Sequence, residues 1–165
     1  MGMKNTYMEE EEIIMAELVK VGDLVKDFTL KDQDGNDVTL SSFRGRKVLL
    51  SFHPLAWTPI CRDQMKALDD LYDSFQQKGV EPLGISVDSM FCKKAWADSM
   101  GLKNLKILAD FWPHGEIADS LGLFREKNGF SERANVLVDE EGKVQWVKVY
   151  EIKTLPDFEE VLNLL

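Results

Sequence analysis

Four short apolar runs divide this chain at intervals that leave room for a helix between most of them: KVLLSF (47–52), VEPLGISV (80–87), LKILAD (105–110) and RANVLVD (133–139). Runs this short and this apolar suit strands buried on both faces. After the first, Leu68, Leu71, Tyr72 and Phe75 recur at helical spacing, which predicts a helix over 61–78 closed by Gly79. Asp88 or Ser89 offers an N-cap for a helix that Gly101 stops after Met100. A short helix at 115–121 follows the third run. Glu140-Glu141-Gly142 turns the fourth run into KVQWVKVY, whose alternation marks a hairpin partner, and a last helix is expected from Pro156 to the C-terminus. Upstream, FTLKDQDGNDVTL (28–40) folds two alternating arms about Asp34-Gly35-Asn36. The order β-α-β-α-β-α-β-β-α behind an N-terminal hairpin predicts an α/β fold, a central mixed sheet flanked by helices on both faces with an antiparallel edge. Residues 21–165 form one domain. Residues 1–20 form an extension in which EEEEIIMAELVK suits a short amphipathic helix with acids in its first turn.

Charge and cysteine usage narrow the function. A net charge of −9 argues against nucleic acid or an anionic membrane surface as a partner, since both need clustered Lys and Arg. No stretch approaches the ~20 apolar residues of a membrane span, and the acidic N-terminal stretch is unlike a secretory signal. Two cysteines, Cys61 and Cys92, are too few for a disulfide framework and lack the C-x-x-C spacing of zinc or dithiol sites. A reducing cytoplasm is the expected setting, with neither metal nor cofactor.

Cys61 lies after the first strand, in the first turn of the predicted helix, at the carboxyl edge where open α/β sheets place their ligands. The unpaired N–H groups of a helix start favour a thiolate, so a reactive thiol competes here with an inert core cysteine. Pro59 stiffens the approach, and Thr58 brings a hydroxyl within reach of the sulfur. Lowering a thiol's pKa from ~8.5 to ~6 gives roughly 30-fold more thiolate at pH 7. The same drop costs roughly 13-fold in nucleophilicity. A fast cysteine therefore depends mostly on groups that stabilise charge in the transition state. Among Arg44, Arg46, Arg62, Arg125 and Arg133, only Arg133 opens an apolar strand from which it could aim along the sheet edge; an ordinary strand-edge arginine is the alternative.

The stretch PLAWTPIC, with Pro54, Thr58 and Cys61 in the register P-x-x-x-T-x-x-C, resembles the signature of peroxiredoxins. The flanking blocks VGDLVKDFTLKDQDGNDVTLSSFRGRKVLLSF, GISVDS, LADFWPHGEIADSLGLF and ERANVLVDEEGKVQW resemble the AhpE-type, one-cysteine members, from about Val21 onward. The resemblance implies a thioredoxin fold and reduction of hydrogen peroxide and organic hydroperoxides. It casts Cys61 as the peroxidatic thiolate, Thr58 as hydrogen-bond partner to sulfur and peroxide, Pro54 as a shield from water and Arg133 as the activating cation. The sulfenic acid formed would be recycled by thioredoxin, a glutaredoxin or a low-molecular-weight thiol, and the resemblance implies a homodimer. His53 and Trp57 stand where many members carry tyrosine or phenylalanine. His53 is either a titrating group or a packed structural one, Trp57 a pocket wall, and His114 a surface or capping residue. Gln64, one turn after Cys61, is a candidate support for the site and occupies the place a C-x-x-C partner would need. Cys92, sharing helical spacing with Ala95 and Trp96, is either a small buried residue or a resolving thiol. A peroxide-sensing relay protein using the same cysteine is the alternative function; turnover with a reductant distinguishes it.

Overall fold

A computed structural model describes residues 17–165; the greater part of the expected N-terminal extension, residues 1–16, lies outside the described residues. The elements are β1 (Thr29–Lys31), β2 (Asp37–Thr39), a 3-10 turn (Leu40–Phe43), β3 (Lys47–Phe52), α1 (Pro59–Asp70), α2 (Tyr72–Gln77), β4 (Val80–Ser86), α3 (Met90–Met100), β5 (Lys106–Ala109), α4 (Glu116–Ser120), β6 (Phe124–Arg125), β7 (Phe130–Ser131), β8 (Arg133–Val138), β9 (Val144–Tyr150) and α5 (Phe158–Leu162). Seven strands form one sheet in the order β2-β1-β5-β4-β3-β8-β9. The central β5-β4-β3 pairs are parallel, and β1, β8 and β9 join antiparallel at the two sides. This is the thioredoxin arrangement with a hairpin added at its N-terminal side, the mixed sheet the sequence predicts.

The apolar runs are buried on both faces because successive side chains point to opposite sides. Val48, Leu50 and Phe52 of β3, with Ala134, Val136 and Val138 of β8, pack toward α4 and the N-terminal loops. Leu49 and Leu137 point the other way, onto Met65, Leu68, Phe75, Trp96 and Phe158 of the four remaining helices. Gly84 of β4 lies under α1, where a β-carbon would collide with Met65 Sδ and stand 2.9 Å from Ile107 Cγ2. Its missing side chain lets the helix lie close to the sheet. In the N-terminal hairpin, Asp32 Oδ1 accepts the N–H groups of Asp34 (2.9 Å) and Asn36 (3.0 Å), a local bond set that shapes the turn.

Two expectations are corrected in detail, and one element was not foreseen. The helix predicted over 61–78 begins at Pro59 and is interrupted at Leu71, whose φ −95° and ψ 6° leave the helical well. The break is one residue long and leaves Leu68 and Phe75 on the same face, so periodicity could not register it. The last helix begins at Phe158, because Asp157 rather than Pro156 starts it, with its carboxylate accepting Glu159 N–H at 3.0 Å. The hairpin β6–β7 has arms of two residues, too short for any alternation to show. Among the described residues no helix is long and apolar enough to cross a membrane.

Candidate active site

β3 ends at Phe52, and the chain runs through His53 and the buried Pro54 to Thr58, the residue before α1. The carboxylate of Asp88, just past β4, holds this loop: Oδ2 accepts Ala56 N–H at 2.8 Å and the Ser86 hydroxyl at 2.6 Å. Trp57 sits in it with φ +70°, a left-handed conformation that costs a bulky residue about 1–2 kcal/mol. Its exposed ring and Thr58 line one side of a cleft of about 400 Å³ that Arg62 and Trp96 help to close. Pro59 occupies the first helical position, where its missing N–H costs nothing.

Cys61 is the third residue of α1 and has no exposed surface. Thr58 has extended backbone, but its hydroxyl does not cap the helix; it donates to Leu55 O at 2.8 Å. The Thr58 proton is thus engaged away from the sulfur, and its oxygen keeps acceptor capacity.

Arg133 reaches the same point from the opposite side of the sheet edge. Antiparallel pairing sets Phe52, the last residue of β3, opposite Ala134, the second of β8, so the first residue of β8 lies just beyond the end of β3. Arg133 is buried there; Nη1 lies 3.3 Å from Cys61 Sγ and 2.7 Å from Gln64 Oε1, and Nε donates to Ile152 O at 2.9 Å. Gln64 in turn donates through Nε2 to Ser51 Oγ (2.8 Å) and Phe52 O (3.1 Å). It is a strut that ties helix, strand and guanidinium together. Its signal in the sequence was the three-residue spacing from Cys61, which brings both onto one helix face.

His53 is fully buried against Trp96, with ring centroids 5.3 Å apart. Burial, reinforced by the positive charges of Lys93 and Arg133, drives its pKa well below the ordinary histidine value, so it is neutral near pH 7. The expected inner face of α3 is corrected by one residue: Lys93, Trp96, Ala97 and Met100 are buried, Cys92 is half-buried and Ala95 is exposed. Lys93 therefore fills an apolar slot of the i, i+3, i+4, i+7 stripe, a signal the sequence reading missed. Cys92 Sγ lies 4.0 Å from Asp88 Oδ1. His114 Nε2 meets Gly129 O at 2.7 Å, near the surface. Among the described residues no three His, Cys, Asp or Glu side chains gather as metal ligands.

A cysteine in the first turn of the helix that follows the central strand of such a sheet defines the thioredoxin-like class of thiol proteins. Comparison with known proteins narrows the class. A model of the AhpC/TSA family matches residues 21–147. The chain is 38% identical over 133 residues to alkyl hydroperoxide reductase E of Mycobacterium tuberculosis, covering 80% of this chain and 86% of that protein. It is 34% identical over 153 residues to peroxiredoxin Bcp of Escherichia coli K12, covering 89% and 96%. The reduced 2-Cys peroxiredoxin of Plasmodium vivax superposes with a TM-score of 0.82 at 30% identity, over 88% of this chain and 80% of that one. The protein belongs to the AhpC/TSA family of peroxiredoxins, and its activity is thiol-dependent peroxide reduction.

Proposed function

We propose that Cys61 is the thiol that attacks peroxide, and that Arg133, Thr58 and Pro54 complete its site. The observation that carries this reading is the 3.3 Å approach of Arg133 Nη1 to Cys61 Sγ at the start of α1. The thiolate sulfur attacks one oxygen of the hydroperoxide. The S–O bond forms as the O–O bond breaks, and the departing oxygen takes a proton to leave as water or an alcohol. The guanidinium and the first-turn N–H groups stabilise the charge that grows on that oxygen. Thr58, with its own proton on Leu55 O, offers its oxygen to the hydroperoxide O–H and so orients the substrate. Buried Pro54 keeps bulk water from the sulfur. A thiol reductant then attacks the sulfenic acid, releasing water and giving a disulfide that a second thiol reduces; excess peroxide carries the sulfenic acid on to sulfinic acid.

Organic hydroperoxides are the substrates proposed alongside hydrogen peroxide; the cleft walled by Trp57, Thr58 and Trp96 borders the start of α1, and Cys61 itself does not line it. Thioredoxin, a glutaredoxin or a low-molecular-weight thiol is the reductant class. A homodimer is the assembly the family resemblance supports, and Phe91, Phe111 and Trp112 leave rings exposed on the single chain. The two free cysteines are consistent with a cytoplasmic setting. The domain proper is residues 21–165.

The test is intact mass after one equivalent of hydrogen peroxide with dimedone present. A dimedone adduct on Cys61, absent from Cys61→Ser, is the expected result. A Cys61–Cys92 disulfide in its place would make Cys92 the resolving thiol. An unchanged mass would overturn the assignment of Cys61, and one oxidation without turnover on added thiol would make the protein a sensor.

A further inference from the structure

Lys93 is fully buried, and among the described residues no carboxylate lies within 4.0 Å of its ammonium. Among the described residues its one hydrogen-bond partner is His53 Nε2, at 3.4 Å. An ammonium has only protons to give, so Nε2 accepts and the ring proton sits on Nδ1, which is buried and has no partner within hydrogen-bond distance among the described residues. The acids nearby are already engaged. Asp88, past the end of β4, holds Ala56 N–H and the Ser86 hydroxyl, and Asp110, past the end of β5, accepts the N–H groups of Ile117 and Ala118 at 3.1 and 3.0 Å. The other ionisable groups in its field are Cys92 on its own helix, Cys61 on α1, and, across His53, Arg133 on β8. A lysine kept in an apolar slot without a counter-ion is costly unless a negative charge forms near it.

We propose that Lys93, seated on His53, is a positioning residue for peroxide reduction: a second buried cation that favours negative charge on the Cys61 sulfur and on the departing oxygen. This rests on the reading of Cys61 as the attacking thiol. It acts through the electrostatic field of the site and touches no substrate atom. Burial pushes the Lys93 ammonium down to about 8, with Asp88 and the two thiols holding it partly up, so its charge is present at pH 7 and lost over the next two units.

The experiment is the second-order rate of Cys61 oxidation by hydrogen peroxide, followed by stopped-flow tryptophan fluorescence from pH 6.5 to 9.5. Wild type is compared with Lys93→Met, Lys93→Gln and Lys93→Arg. The methionine and glutamine variants are expected about tenfold slower at pH 7, the factor that ~1.4 kcal/mol of lost stabilisation carries. The ratio of wild-type to variant rate falls toward one by pH 9.5, and Lys93→Arg keeps its rate across the range. Each variant's Cys61 ionisation is read separately from the pH dependence of iodoacetamide alkylation and divided out before the ratio is taken, and a merely structural lysine would then give a ratio that does not move with pH. Equal rates at pH 7, or a pH-independent ratio, would overturn the proposal, as would an effect that vanishes when Cys92 is also serine. A wild-type protein that does not react at all would instead sink the assignment of Cys61.

Discussion

Cys61 and Cys92 occupy the same place, the third residue of α1 and of α3, each behind a hydroxyl-bearing residue with extended backbone. At α3 the Ser89 hydroxyl accepts Cys92 N–H at 3.1 Å, an ordinary N-cap, and the sulfur faces a carboxylate. At α1 the Thr58 hydroxyl turns to Leu55 O, no side chain caps the first turn, and the sulfur faces a guanidinium. The same helix-start field therefore acts on two thiols in settings of opposite sign. A helix start alone does not make a cysteine reactive; the free N–H groups and the sign of the nearest charge decide it.

The comparison breaks most visibly by exchanging the thiols for hydroxyls. Cys61→Ser is expected to abolish peroxide consumption in a thiol-coupled assay, whereas Cys92→Ser keeps the rate of sulfenic acid formation. Loss of that first step in Cys92→Ser would mean that the two helix starts work together. Arg133→Met removes the charge that distinguishes the first site and should lower the rate constant for hydrogen peroxide by about 10²–10³, the usual cost of one transition-state donor. Because Gln64 Oε1 then loses its 2.7 Å partner, the variant should also melt earlier in a thermal scan.

Lys93 sharpens the contrast from the α3 side. A lysine whose folded pKa is about 8, against an ordinary ~10.4, is destabilising below pH 8, where the folded state must bury its charge. As pH rises from 8 to 10.4 the unfolded chain holds the extra proton and stability rises. Lys93→Met should therefore exceed wild type by about 3 kcal/mol in urea unfolding at pH 7, with the gap closing toward pH 10.4. A gap that ignores pH would mean that the lysine's charge is not what costs stability. The gain in stability would come with the slower chemistry already described, a trade familiar at active sites. Smallest is Ser89→Ala, which removes a working cap and should cost about 1 kcal/mol. A negligible cost in urea would show that the two helix starts do not differ in capping after all.

Periodicity, turn residues and the spacing of Pro54, Thr58 and Cys61 are local, and interactions within a few residues settle them. For that reason the element order, the mixed sheet and the cysteine at a helix start were legible in the chain. The single-residue break at Leu71 and the two-residue arms of β6 and β7 were not, since neither disturbs a pattern long enough to read. Arg133 could be nominated as a cation at a strand edge, but its place on the sulfur, 72 residues away, follows only from β8 lying antiparallel beside β3. Gln64 as a strut and Lys93 as a buried cation depend likewise on which face each helix turns inward, and the one-residue shift in α3 buries Lys93 and exposes Ala95 while Trp96 stays inside. Sequence determined which elements form and where the thiol stands. Tertiary structure decided what charge meets that thiol, because contacts between distant residues exist only once the strands have paired.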